Sequence, residues 1–113
     1  MSTTIDMTVY KELQDTAGAD FAAELMGTFL EEAPLMLAEL RAALADAAAD
    51  RFRRAAHSLK TNALTFGATA LGDMARTLEL SGLPADAAGL DALDALDAAY
   101  AQAAAALQEI SRV

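Results

Sequence analysis

The chain has 113 residues, a formal charge of −9 and no cysteine. That length gives one domain, 1–113, with a single core, and the missing thiols exclude disulfides and thiolate metal sites and fit a reducing compartment. Seventeen acidic residues argue against nucleic acid and anionic membrane surfaces as partners and read most simply as solvated helix faces.

Hydrophobic residues make up 55% of the chain, but alanine supplies much of that share and aromatics only 5%. An Ala- and Leu-rich chain with few β-branched residues favours helix over sheet. Residues 1–5 read as a frayed end. The opening MSTTIDMTVYKEL lacks the basic start and apolar run of a signal peptide. A short helix is expected over 6–16, with Val9, Tyr10 and Leu13 on one side. Asp20 is the expected N-cap of a long helix whose apolar residues fall at Phe21, Leu25, Phe29, Met36 or Leu37, Leu40 and Leu44. Pro34 lies inside that run and should kink it, because it removes a backbone donor and crowds the preceding turn.

A break is expected around Asp46–Asp50. The next helix carries Phe52, Ala55, Leu59, Ala63 and Phe66 inward, and Gly67 marks its end or a tight junction. Another helix begins near Ala68, with Leu71, Met74 or Ala75, Leu78 and also Leu80 expected inward. Ser81-Gly82-Leu83-Pro84 is a stop. The last helix should span 88–111, with Leu93, Leu96, Tyr100, Ala103 or Ala104, Leu107 and Ile110 on its stripe. Four long helices with short loops predict an all-α protein: an antiparallel up-down four-helix bundle with a short extra N-terminal helix. No stretch approaches the roughly 18 apolar residues of a membrane span, so a soluble, cytoplasmic protein is expected. The short leader favours a free protein over a piece of a larger one, and a monomer is expected.

One segment breaks the acidic pattern. Arg51, Arg53, Arg54 and Lys60 put four of the eight Lys and Arg residues within ten positions, around His57, the only histidine. At about 100° per residue, the inward stripe lies nearly opposite His57, while Arg53, Thr61 and Leu64 fall within about 40° of it and Arg54 and Lys60 within about 60°. His57 is therefore expected on the outer face among cations. Those cations repel imidazolium and favour the neutral, nucleophilic ring. Leu64 adds an apolar residue to the same face.

Most site chemistries do not fit. One histidine with no carboxylate at i±3 or i±4 makes a poor metal site. Ser58 diverges from His57 on the helix, and no acid is locally placed to orient the ring, so a nucleophile triad is not expected. The glycines are scattered and there is no phosphate-binding loop. An exposed neutral imidazole among fixed cations suits transient attachment of a phosphoryl group, whose two negative charges the cations offset. Position 61, one turn beyond His57, controls how closely a partner can approach.

At this point HSLK…FGA closely resembles the signature of histidine-containing phosphotransfer (HPt) domains, in which H-x-L-K-G is followed by a small-residue segment and Gly-Ala. His57, Leu59, Lys60, Gly67 and Ala68 match it. The setting is similar too: FLEEAP and LAELRAAL before it, Asp50 ahead of the histidine helix, and Leu71 with Leu78-Glu79 after it, so the resemblance spans roughly residues 20–80. Thr61 stands where the family usually has glycine, adding bulk beside the nucleophile and a hydroxyl for the phosphoryl group or the backbone.

The resemblance implies a phosphorelay intermediate. His57 accepts a phosphoryl group at Nε2 from a receiver-domain phospho-aspartate and passes it to another receiver domain. It implies Lys60 as the main phosphoryl neutraliser, Arg53 and Arg54 as secondary ones, Thr61 and Leu64 in the docking patch, and Gly67 as a structural turn. Expected partners are response-regulator receiver domains and a hybrid histidine kinase. The chain itself is expected to bind no cofactor and to have no autonomous catalytic activity, Mg²⁺ belonging to the receiver. The competing expectation is a helical adaptor that carries no phosphate and docks an acidic partner through the basic strip.

Overall fold

Asp6 starts the first helix: its Oδ1 accepts the Thr8 backbone N–H at 3.0 Å, satisfying one of the donors that a helix start leaves open. From there the computed structural model, which describes residues 4–84 and 88–111, runs through α1 (Met7–Ala17), α2 (Ala19–Ala45), α3 (Ala49–Thr65), α4 (Thr69–Ser81) and α5 (Ala88–Ser111). Among the described residues there is no strand, and no helix is long and apolar enough to cross a membrane. The protein is all-α, with five helices among the described residues.

The helices α2, α3, α4 and α5 pack in cyclic order, each against two neighbours, with α5 closing on α2; α1 lies on α2 and α3. The core inside that ring takes Phe29 and Leu40 from α2, Phe52 and Leu59 from α3, Leu71 from α4 and Leu96 from α5. Phe29 stacks at a tilt on Phe66, centroid to centroid 5.3 Å, and meets Tyr100 edge-on at 6.1 Å. These are favourable geometries for aromatic pairs.

Helix α2 continues across Pro34. A proline has no N–H for the carbonyl four residues back, which here belongs to Leu30. Tyr100 on α5 fills that place, its hydroxyl donating to Leu30 O at 3.2 Å. The proline thus leaves an acceptor that a neighbouring helix uses.

Four expectations need correction. The described part of the N-terminal end is not frayed: Ile5 is buried in the core, and the Asp6 N–H donates to Gly67 O at 2.7 Å. Residues 1–3 of that expectation lie outside the described residues. The N-cap of α2 is Gly18, with Asp20 inside the first turn. There its negative charge still favours the helix start. Phe21 is exposed, because the buried stripe runs Ala22, Met26, Phe29, Ala33, Leu37 and Leu40, one position out of step with Phe21 and Leu25. Leu80 is 75% exposed. It follows Leu78 by two positions, about 200° around the helix and therefore on the far side from the core.

Candidate functional site

His57 lies midway along α3, whose inward face is Phe52, Ala55, Ala56, Leu59 and Ala63. Its side chain is 58% exposed. The same helical spacing that buries Leu59 turns position 57 outward, at about 160° from it.

The ring is held by a residue from another helix. His57 Nδ1 lies 2.7 Å from Glu79 Oε2 on α4. The other carboxylate oxygen, Oε1, is shielded from solvent and lies 2.7 Å from Lys60 Nζ, an ion contact off the line of an aligned hydrogen bond. Lys60 and Glu79 are mostly covered, at 22% and 20% exposure. The Lys60 ammonium, and after it the His57 ring, hold the Glu79 carboxyl below its ordinary value of 4.5, against the partial burial that pushes it up. An ionised carboxylate only accepts, so Nδ1 carries the proton and donates it to Glu79. In the neutral ring the lone pair is then on Nε2. Among the described residues it makes no hydrogen bond.

A close approach of α4 to α3 makes this contact. A Cβ built on Gly72 would lie 2.5 Å from Leu64 Cδ2 and 3.7 Å from Lys60 O, so only the absent side chain lets the helices meet there. Glu79 is seven residues after Gly72, two turns along the same face of α4. At the start of the pair, Gly67 has φ +78° and lies against the Asp6 backbone. That left-handed conformation suits glycine.

The sequence-predicted residues therefore divide. Lys60 joins His57 at Glu79. Arg53 is on the same exposed side but is paired with Asp50, one turn away, at 2.7 Å. The Arg54 Nε donates to Asp50 O at 3.4 Å. Arg51, counted in the basic cluster, is gripped by Glu39 and Asp46, each at 2.9 Å, and serves as a clip between α2 and α3. That grip pushes the Arg51 guanidinium up and draws Glu39 down. The cluster is thus not a bare patch of positive charge around the ring. Thr61 turns its hydroxyl to the backbone, Oγ1 donating to His57 O at 3.0 Å. Of the two uses open to that hydroxyl, the backbone has it. Leu64 is 40% exposed beside Gly72.

No acid near His57 in sequence orients the ring, as expected, but an acid from another helix does. A search along α3 alone cannot see Glu79, which is 22 positions away and arrives only when α4 folds back. Its one sequence signal was the Leu78-Glu79 pair in the stretch resembling the family.

The family model described as "Hpt domain" matches residues 24–109, which takes in α3, α4 and nearly all of α2 and α5. No curated protein matches the chain. No solved structure matches it either.

Proposed function

The chain belongs to the Hpt domain family of two-component signalling, and on that premise we propose that His57 Nε2 is its phosphoacceptor. The supporting observation is the exposed ring whose Nδ1 is taken by Glu79, leaving Nε2 as the free nucleophilic atom. In the proposed step the Nε2 lone pair attacks phosphorus of an aspartyl phosphate on a receiver domain. The P–O bond to the aspartyl oxygen breaks, and its electron pair leaves with the carboxylate. The ring keeps the Nδ1 proton and becomes a phospho-imidazolium facing the Glu79 carboxylate, whose charge offsets it. Transfer to the next receiver domain reverses these changes.

The chain supplies the nucleophile, its orientation and a docking face. Mg²⁺ and the acidic cluster that drive transfer are assigned to the receiver domain, and a hybrid histidine kinase feeds the relay. Hpt domains are phosphocarrier modules, and this one is proposed to have no autonomous catalytic activity and to work as a cytoplasmic monomer, with α2 to α5 as an up-down antiparallel bundle. Thr61 and Leu64 flank the nucleophile in the docking patch, where Thr61 puts a methyl group in place of the family's usual glycine. Lys60 must turn from Glu79 before it can reach a phosphoryl oxygen, and Arg53 must likewise leave Asp50; both are thereby secondary to the ring's own orientation. These two ion pairs and the Arg51 clip weigh against the adaptor reading, because among the described residues they leave Arg54 as the strip's one cation without an ion pair.

Incubation of this protein with a phosphorylated receiver domain is expected to give an acid-labile, base-stable phosphate. His57→Gln is expected to abolish it with helicity unchanged. Label on the mutant would overturn the assignment.

A further inference from the structure

Adding a phosphoryl group to His57 brings about two negative charges to the site. The resting site has little to meet them. The Lys60 charge is cancelled by Glu79, Arg53 is matched by Asp50, and Arg54, without an ion pair among the described residues, lies toward Glu39 on the α2 side of α3. Calling Lys60 away would strip a shielded carboxylate oxygen of its partner, which is costly. A cation with no commitments would do the work at lower cost.

Arg76 on α4 is such a cation. It is exposed, and among the described residues it makes no ion pair and no hydrogen bond. It lies four residues after Gly72, where a side chain would run into Leu64 of α3, and three before Glu79, which touches His57 and Lys60. Residues three and four apart share a helix face. Arg76 is thus bracketed by two contacts with the His57 side of α3. An arginine side chain extends roughly 6–7 Å, and packed helix axes are about 8–10 Å apart, so the guanidinium can cross the seam.

We infer that Arg76 is the cation that binds the phosphoryl group carried on His57. This rests on His57 being the phosphoacceptor. The planar guanidinium meets two phosphoryl oxygens at once, which an ammonium cannot do. Charge balance then follows without disturbing the resting network: Lys60 stays on Glu79, Nδ1 stays on Glu79, and the dianion is met by Arg76 and the ring's own positive charge. The assignment also places part of the phosphoryl site on α4, so that the helix that orients the ring grips its cargo as well.

The 113-residue protein is incubated with phosphoramidate, a small donor that needs no receiver domain, and the ratio of phosphorylated to free His57 is read from the ring-proton signals of this single histidine by proton NMR. Arg76→Gln, with glutamine a good helix former at an exposed position, is expected to lower that ratio about fourfold. Arg76→Lys is expected to recover part of it. Lys11→Gln removes the same charge from another helix and is expected to leave the ratio unchanged. An Arg76→Gln protein labelled as fully as wild type overturns the inference while His57 stands. So does an Arg76→Lys protein no better than Arg76→Gln, or an equal loss in Lys11→Gln. A wild-type protein that takes no label overturns the phosphoacceptor assignment, and Arg76 with it.

Discussion

The turns at the two ends of α3 have the same backbone and opposite surroundings. After α2, the Ala48 N–H donates to Ala43 O at 2.9 Å and the Ala47 N–H to Leu44 O at 3.2 Å. After α3, the Ala68 N–H donates to Ala63 O at 2.9 Å and the Gly67 N–H to Leu64 O at 3.2 Å. Both are the same helix-ending motif, which needs one residue with positive φ. That residue is Ala47 at φ 53° in one turn and Gly67 at φ 78° in the other. Ala47 is exposed, and a side-chain clip secures its turn, Arg51 reaching back to Asp46 and Glu39. Gly67 is buried, and its turn is secured by backbone, the Asp6 N–H on its carbonyl. The α3–α4 turn aligns the helix that carries Glu79 with the helix that carries His57. The turn held by backbone is the one that serves the site, and the turn held by a side-chain clip is the one away from it.

Exchanging the two residues tests this contrast. Gly67→Ala is expected to have the largest effect. A left-handed alanine costs about 1–2 kcal/mol. The new Cβ would also lie 2.5 Å from Asp6 O, so the N-terminal segment must move and the Asp6–Gly67 hydrogen bond is lost, adding about 1 kcal/mol. A total loss of about 2–3 kcal/mol is expected in urea unfolding, with phosphotransfer falling as α4 shifts. A loss of less than about 1 kcal/mol would mean that the Asp6 contact does not secure this turn. Ala47→Gly runs the other way and is smaller. It relieves the left-handed alanine but adds chain entropy to the unfolded state, for a net gain of up to about 1 kcal/mol. No change at the His57 site should accompany it. A destabilised Ala47→Gly protein would show that the two turns are not equivalent in backbone.

The same contrast explains what the sequence could and could not disclose. Helix positions were legible because leucine and alanine spacing is a local signal: α5 was expected over 88–111 and is found at Ala88–Ser111. The outward face of His57 was legible for the same reason, since the angle from Leu59 is set by the helix itself. Ala47 was hidden, because nothing in Asp46-Ala47-Ala48 advertises a left-handed residue that is not glycine. Glu79 was hidden because its meeting with His57 depends on the register of α4 against α3, which Gly67 and Gly72 set through close contacts across the chain. The basic cluster was misleading in a related way. Its charges were visible, and so was Asp50, one turn from Arg53, but the partners of Arg51 and Lys60, which are Glu39, Asp46 and Glu79, lie on other helices or beyond a turn.

The smallest stability effect expected belongs to Glu79→Gln, and it carries the most information about the site. Glutamine keeps an oxygen to accept the Nδ1 proton of His57, so the ring stays oriented; only the charge facing Lys60 and the ring is removed. At neutral pH the substitution should cost less than Gly67→Ala, because glutamine keeps the shape and the contact to His57 and only the charge opposite Lys60 is lost. Its pH dependence has a definite sign. The Lys60 ammonium and the His57 ring hold the folded Glu79 carboxyl below its ordinary value. The unfolded chain therefore takes up that proton first as pH falls, and the stability that Glu79 contributes is present above its ordinary value and lost on descent through the lowered one. Wild type should thus be the more stable protein at neutral pH, and the gap to Glu79→Gln should close in acid, where a protonated glutamate and a glutamine are alike in charge. Unfolding curves of the two proteins along a pH series measure that gap. A constant gap would mean that Glu79 contributes through shape rather than charge. The phospho-imidazolium would then have no carboxylate counter-charge, and the rate of transfer to His57 should be the same in both proteins.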